Sequence, residues 1–240
     1  MTRQRRRRLI KTRRTVTGLL LVASISFLAG MTDAVGLMLS GNFVSFMTGN
    51  TTRAAIALGT GDFSHAAVLF AAILTFIGGN ALGIVIAHAA NRRAFVVLAC
   101  VGLLLAAAAG FELPSLVFVQ FYLVILAMGM VNATVEHIEG LPIGLTYVTG
   151  ALSRFGRGIG RFLLGDRDLA WRVQIVPWGG MVTGATIGAV LASLLGGHAL
   201  WVVSLVAIAL SIATLFIPRP LQRRFNQRLA IAATMASRSK

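Results

Sequence analysis

The side chains that could bind a solute lie in two short stretches that repeat 101 residues apart. Residues 45–53 read SFMTGNTTR and residues 146–154 read TYVTGALSR. Agreement at so many positions, with the same order of hydroxyl, aromatic, Thr-Gly and arginine residues, predicts two homologous halves. The residues with binding chemistry are Thr48, Gly49, Asn50 and Arg53 in the first copy and Thr149, Gly150 and Arg154 in the second.

Each stretch has the composition of a helix start that could bind an anion. The threonine hydroxyl can accept a hydrogen bond from a free backbone N–H group of the first helical turn. The other N–H groups, the positive end of the helix dipole and the arginine would attract a negative group. Arg53 and Arg154 could instead extend to lipid headgroups, as long basic side chains do at membrane interfaces. We therefore expect an anion site or two lipid contacts here.

Asp33 is a further candidate because it is the only acidic residue well inside an apolar run. A carboxylate at the centre of a membrane helix costs about 2.5–3.5 kcal/mol on insertion scales, which favours a function in solute binding. Asn132 occupies the matching position in the second half, since GMTDA at 30–34 aligns with GMVNA at 129–133. The alternative is that Asp33 lies at the interface and caps the short helix that follows.

The sequence has no pattern typical of an enzyme, a metal site or a cofactor site. No catalytic triad spacing and no glycine-rich phosphate loop after a strand is visible. Residues 136–139 read EHIE, a spacing that matches no established metal site and suits a solvated helix end or a pH-sensitive gate. A single cysteine, Cys100, excludes an internal disulfide. We expect neither catalysis nor a bound cofactor.

Composition predicts an integral membrane protein. Of the 240 residues, 57% are hydrophobic and 12% are charged, against about 25% charged in soluble domains, and the mean hydropathy is +0.83. The formal net charge of +15 comes mostly from two tails, with eight basic residues in positions 1–14 and six in positions 218–240. Because these tails flank apolar runs, we expect them to contact anionic lipid, and a soluble nucleic-acid binder is excluded.

Six apolar runs have a length near the roughly 20 residues that one span requires. They cover residues 16–39, 65–90, 94–111, 116–136, 173–195 and 199–217. With six spans and a cytoplasmic N-terminus, 21 of the 22 basic residues lie inside, and only Arg53 lies outside. The positive-inside rule thus predicts a multi-pass protein of the bacterial inner membrane with both termini in the cytoplasm.

Three spans per half is an odd number, so the second half must enter the bilayer from the opposite face. The expected fold is therefore an all-α membrane protein with six helices in a 3+3 inverted repeat, with halves at 16–111 and 116–217 and basic tails at 1–15 and 218–240. Each Thr-Gly stretch is expected to begin a short helix, of about 15 Å in the first copy, that enters the membrane partway or lies along it.

Small residues recur every fourth position in the second and fifth runs. A spacing of four places them on one helix face, where they allow two backbones to approach closely, inside the chain or in a homodimer. We expect packing faces, with a solute path as the alternative. The stripes are Thr75, Gly79, Gly83 and Ala87 in the second run and Gly180, Gly184, Gly188 and Ala192 in the fifth.

The chain resembles the YoaK family of bacterial membrane proteins, a domain of unknown function, over residues 16–218. The resemblance is carried by Gly-x-x-Asp-Ala at 30–34 and Met-Thr-Gly-Asn at 47–50. It implies a six-span protein of the kind labelled permease, with no assigned substrate. The second half departs from the pattern, with Asn132 in place of Asp33 and Ala151 in place of Asn50.

These features favour a small transporter or channel for an unidentified solute, anions included, with its site between the two halves. The matched polar breaks and the inverted repeat would give two mirror-related states of similar energy. The alternative function is a scaffold or lipid sensor that transports nothing and acts through its basic tails.

Overall fold

The computed structural model describes residues 3–91, 93–111, 116–132, 134, 137–138, 141–142 and 148–217, with the backbone alone for 3–15, 137–138 and 141–142. These residues form eight α-helices and a short ribbon in which His137 pairs with Pro142, so the all-α class is confirmed. The elements are α1 (Arg3–Ser40), α2 (Met47–Gly59), α3 (Phe63–Ala89), α4 (Ala94–Ala109), α5 (Val117–Val131), β1 (His137–Ile138), β2 (Leu141–Pro142), α6 (Val148–Leu163), α7 (Ile175–Leu195) and α8 (Ala199–Leu215).

Helices occupy all six predicted apolar runs, and three stretches are long and apolar enough to cross a membrane: Val16–Ser40, Phe63–Ala89 and Ala170–Leu215. The last stretch contains α7 and α8, which are separated by a turn at Gly196, where φ is +55°. Helices α4 and α5 are apolar but have only 16 and 15 residues. At 1.5 Å per residue they measure about 24 and 22 Å, less than a hydrocarbon core of about 30 Å.

Two helix boundaries differ from the sequence prediction by more than about two residues. Helix α1 begins at Arg3 rather than at residue 16, because arginine and lysine are good helix formers and the basic segment simply continues the helix. Helix α5 ends at Val131 rather than at residue 136. The hydroxyl of Thr134 donates to the Val131 carbonyl at 2.6 Å, and its N–H donates to the same oxygen at 3.1 Å, which makes a tight turn instead of a further helical turn.

Short helices begin at both repeated motifs, as predicted. Helix α2 has 13 residues and α6 has 16. Helix α2 leads directly into α3 through Gly61, whose φ of +80° suits a residue without a side chain. Asp62 then caps α3 by accepting a hydrogen bond from the N–H of His65 at 3.0 Å. The chain therefore reverses direction between α2 and the long apolar helix that follows.

The core lies among α1, α4, α5 and α8, and α7 and α3 pack beside it. Helix α7 lies along α1, α3 lies along α5, and α4 lies along α8. Two buried hydroxyls join α8 to α4, since Ser204 donates to the Gly102 carbonyl at 2.9 Å and Ser211 to the Phe95 carbonyl at 2.7 Å. Large apolar side chains on the outer surfaces of α3 and α7, Leu74 among them, remain exposed, as expected for helices that face lipid.

Candidate functional site

Asp33 holds the segment that connects α1 to α2. The carboxylate lies near the end of α1 and is buried. Its Oδ1 atom accepts two hydrogen bonds, from the backbone N–H groups of Val44 and Ser45, each at 2.9 Å. These N–H groups belong to the connecting segment and precede the first turn of α2, whose capping residue Phe46 makes no side-chain cap hydrogen bond. Asp33 therefore binds the connecting segment and not the helix end itself, and a role in solute binding stays a prediction.

Asn50 holds the same connecting segment from the other side. Its Nδ2 atom donates to the Phe43 carbonyl oxygen at 2.7 Å. That carbonyl and the N–H of Val44 belong to one peptide unit, and they point in opposite directions because the bond is trans. The side chains of Asp33 and Asn50 therefore bind one peptide unit from opposite sides.

Arg53 completes the arrangement around the connecting segment. Its Nη1 atom donates to the carbonyl of Gly41 at 2.7 Å, and Gly41 has a φ of +70° where α1 has just ended. The segment 41–46, called the clamped linker below, is thus bound by three motif side chains: its N–H groups by Asp33 and its carbonyls by Asn50 and Arg53. The structure brings these three predicted residues together, around backbone and not around an open site.

Thr48 and Gly49 lie in the first turn of α2, but Thr48 does not cap it. The residue at the capping position is Phe46, and it makes no side-chain cap hydrogen bond. The expected cap by Thr48 is therefore wrong, because α2 begins one residue before the threonine, which leaves its side chain exposed. Gly49 packs against the Phe46 ring, where a Cβ atom would lie 2.7 Å from Cε1, so a larger residue here would require that ring to move.

One acceptor in this region has no protein partner. The Oδ1 atom of Asn50 is buried and unbonded among the described residues, although the Nδ2 atom of the same amide is bonded. A buried amide oxygen normally has a donor, from protein or from ordered water. Asn50 therefore has one acceptor atom left to bind a water molecule or a donor group of a ligand.

The second copy of the motif is arranged differently. The Nε atom of Arg154 donates to Oε1 of Gln174 at 2.9 Å, and Gln174 is buried at the start of α7. Thr149 and Gly150 lie in the first turn of α6, with the Arg154 guanidinium 3.7 Å from the position of a Gly150 Cβ. Asn132 is half-buried and follows the last residue of α5. The structure thus joins Arg154 to Gln174 at the start of α7. Residues 143–147, which precede α6, lie outside the described part.

Gln174 and Trp171 were not identified from the sequence. Gln174 is an amide at the edge of an apolar run, a signal that could have been noticed. Trp171 packs on Gly158, where a Cβ atom would lie 2.7 Å from ring atom Cδ2, and its ring is 5.1 Å from that of Phe155 and 6.4 Å from that of Phe162. These contacts fix α6 against the segment that leads into α7.

The described residues contain no cluster of three or more histidine, cysteine, aspartate or glutamate side chains that could hold a metal ion. Glu136 and Glu139 of the EHIE segment lie outside the described residues, and only the backbone of His137 is described. The side chains of both basic tails likewise fall outside the described part.

Comparison with known proteins gives two matches. A family model described as a protein of unknown function (DUF1275) matches residues 21–213. A UPF0700 transmembrane protein of Rhizobium meliloti (strain 1021) is 57% identical over 228 residues, which cover 95% of this chain and 99% of the relative. No solved structure matches the chain. With the apolar helices described above, these similarities identify a membrane protein.

Proposed function

The chain belongs to the DUF1275 family of proteins of unknown function, and within that family we propose that it is a transporter of a small molecule or ion in the plasma membrane. The YoaK-type character indicated by residues 30–34 and 47–50 is consistent with this membership and forms part of the proposal. In it, six helices form a 3+3 inverted repeat, both termini are cytoplasmic, the substrate binds between the halves, and the chain catalyses no reaction.

The observation that carries this proposal is a reciprocal pattern of glycine contacts. Gly184 of α7 lies against the carbonyl oxygen of Phe27 in α1. The counterpart of Gly184 in the first half is Gly79 of α3, 105 residues earlier, and the counterpart of Phe27 in the second half is Leu126 of α5, 99 residues later. Gly79 lies against the Leu126 carbonyl oxygen. The first contact therefore has a counterpart in which the two halves exchange roles.

A second contact pair repeats the same exchange. Gly30 of α1 lies against the carbonyl of Met181 in α7, and Gly129 of α5 lies against the carbonyl of Phe76 in α3. Gly129 follows Gly30 by 99 residues and Met181 follows Phe76 by 105, the same offsets as before. Contacts that exchange in this way are what a pseudo-two-fold axis between two similar halves would produce.

Such symmetry supports transport because it allows two conformations of similar energy. If each half can adopt the conformation that the other has, the exchanged state opens the site to the opposite side of the membrane. The contacts of the two arginines differ: Arg53 binds the clamped linker, whereas Arg154 binds Gln174 at the start of α7. We propose that these arginine contacts change during the transport cycle.

The proposed substrate-binding groups are the first turns of α2 and α6. Thr48, Gly49, Thr149 and Gly150 lie in these turns, where backbone N–H groups have no partner inside the helix. Each arginine has five N–H donors, and the structure assigns one of Arg53 and one of Arg154 to a protein acceptor. The remaining donors favour a substrate with a negative group, while Asp33, Asn50 and Asn132 would shape the surrounding segments.

Binding is tested by the thermal stability of the purified protein in detergent against small anions, organic acids, amino acids and nucleobases. A compound at 100 times its Kd stabilises the folded state by about 2.7 kcal/mol. We expect one class to raise Tm in the unmodified protein, to raise it less in Arg53→Lys/Arg154→Lys, and to exchange across the membrane in reconstituted vesicles.

The alternative is a scaffold or lipid sensor that transports nothing, which the exposed arginines of α6 favour. A rise in Tm with anionic lipid alone, together with no exchange of any tested solute across vesicles, would support this alternative and contradict transport. A compound that raises Tm equally in the lysine variant and in the unmodified protein would instead move the binding site away from the two motifs.

A further inference from the structure

Helix α6 has three distinct faces, and two of them face outward. At about 100° per residue, Val148, Ala151, Phe155, Gly158 and Phe162 fall on one side, and this side packs on Trp171 and α7. The two outward faces are an apolar strip and a basic strip. The apolar strip consists of Leu152, Ile159 and Leu163, and the basic strip of Arg154, Arg157 and Arg161.

The apolar strip continues into the residue that follows the helix. Leu152 and Ile159 are 38% and 39% exposed, and Leu163 and Leu164 are 78% and 90% exposed. Leucines as exposed as the last two are unfavourable in water, by about 25 cal/mol for each Å² of apolar surface. Both leucines lie at the end of a helix that packs against the long apolar helix α7.

The basic strip lies on the opposite side of α6 and has no acidic partner. Arg157 and Arg161 are exposed and one helical turn apart, and within the described residues neither forms an ion pair. Asp166 and Asp168 follow the helix, and the bonds that the structure gives their carboxylates come from backbone N–H groups, of Asp168 and Ala170, and not from these arginines. The guanidinium groups are thus available to bind phosphate.

The first half of the chain lacks this basic strip. Residues 101 positions before Arg157 and Arg161 are Ile56 and Thr60, on and just after α2. The two short helices therefore both have an arginine at the position of Arg53 and Arg154. They differ in charge at the positions of Arg157 and Arg161, where the first half has uncharged residues. The difference shows that Arg157 and Arg161 are not required to form such a helix and points to a function specific to α6.

We infer that α6 lies in the membrane interface and binds anionic phospholipid, with Leu152, Ile159, Leu163 and Leu164 among the acyl chains and Arg157 and Arg161 on the phosphates. An amphipathic helix with arginines on its polar face and leucines on the other has the composition for such a position. An anionic headgroup supplies the charge that the described protein lacks. This surface would bind lipid whether or not the chain transports a solute.

The test uses Trp171 as a reporter, because its ring packs directly on α6. In a Trp178→Phe/Trp201→Phe background, the full chain is placed in phosphatidylcholine vesicles that contain a minor fraction of brominated phosphatidylglycerol or brominated phosphatidylcholine. We expect the phosphatidylglycerol to quench Trp171 fluorescence more at equal mole fraction, and the preference to fall with added salt. Equal quenching by the two lipids would overturn the inference.

Two arginine variants of this reporter protein test the basic strip. Arg157→Gln/Arg161→Gln should lower the preference for phosphatidylglycerol by up to about 25-fold, since each of the two arginines near the surface contributes roughly a fivefold change. The matched control Arg157→Lys/Arg161→Lys keeps both charges and should keep most of the preference. An unchanged preference in the glutamine pair, or an equal loss in the lysine pair, would contradict binding through these two charges.

Discussion

Asp33 and Asn50 are polar residues for which the sequence predicts solute binding, and in the structure both side chains bind the protein's own backbone. For Asp33 the prediction rests on the cost of a carboxylate in a membrane helix. In the structure the energetic need is local: the linker between α1 and α2 has buried backbone groups that require partners, and these two side chains supply them. A sequence identifies such polar residues, but it cannot say whether their partner is a ligand or the protein's own backbone.

The role of Asp33 can be measured with two substitutions. Asp33→Ala leaves the N–H groups of Val44 and Ser45 without an acceptor, and we expect it to lower the free energy of unfolding by about 2–4 kcal/mol. Asp33→Asn keeps an acceptor oxygen and loses only the charge, so its loss should be about 1 kcal/mol. Denaturant titration in detergent micelles measures both.

The same two substitutions also distinguish a structural role of Asp33 from a role in solute binding. If the charge itself binds a solute, the asparagine variant will show only this loss of about 1 kcal/mol in the absence of ligand and will lose ligand-dependent stabilisation. An alanine variant as stable as the unmodified protein would contradict the clamped linker.

At the scale of elements, the helices could be predicted and their ends could not. Hydrophobicity located all six apolar helices, and the repeated Thr-Gly located the start of α2 and α6. The ends depend on contacts that a sequence does not display, such as the turn that Thr134 makes after Val131. The second arginine shows the same limit: Arg154 binds Gln174, 20 residues away in sequence, and no periodicity indicates that pairing.

The glycine contacts allow a matched test on adjacent residues of α3. A Cβ atom at Gly79 would meet the backbone of Leu126 and lie 3.1 Å from the Cα atom of Gly129, whereas a Cβ atom at Gly78 would have no atom within 4 Å. We expect Gly79→Ala to lower the free energy of unfolding by about 1–3 kcal/mol through overpacking. Gly78→Ala should be neutral or stabilise by up to about 1 kcal/mol. Equal effects of the two substitutions on denaturant titration would contradict the close approach of α3 and α5.

At the scale of the whole molecule, the account depends on the relation between the two halves. The sequence predicts a repeat through its matched motif residues and offsets, and the reciprocal contacts of Gly184 and Gly79 are the packing that the proposed repeat would produce. Orientation in the bilayer is different, because it rests on an odd number of spans and on where the arginines fall. Neither packing nor hydropathy decides whether α2 and α6 face opposite sides.

Labelling of equivalent positions in α2 and α6 tests the inverted orientation most directly. Thr52 and Ser153 are 101 residues apart, are exposed and occupy the same position in the repeat. Each is replaced by cysteine in a Cys100→Ala background, and intact cells are treated with a membrane-impermeant thiol reagent. We expect the Thr52→Cys protein to react in intact cells and the Ser153→Cys protein to react only after the membrane is permeabilised. Reaction of both proteins from the same side would contradict the inverted repeat and, with it, the proposed exchange between the two halves.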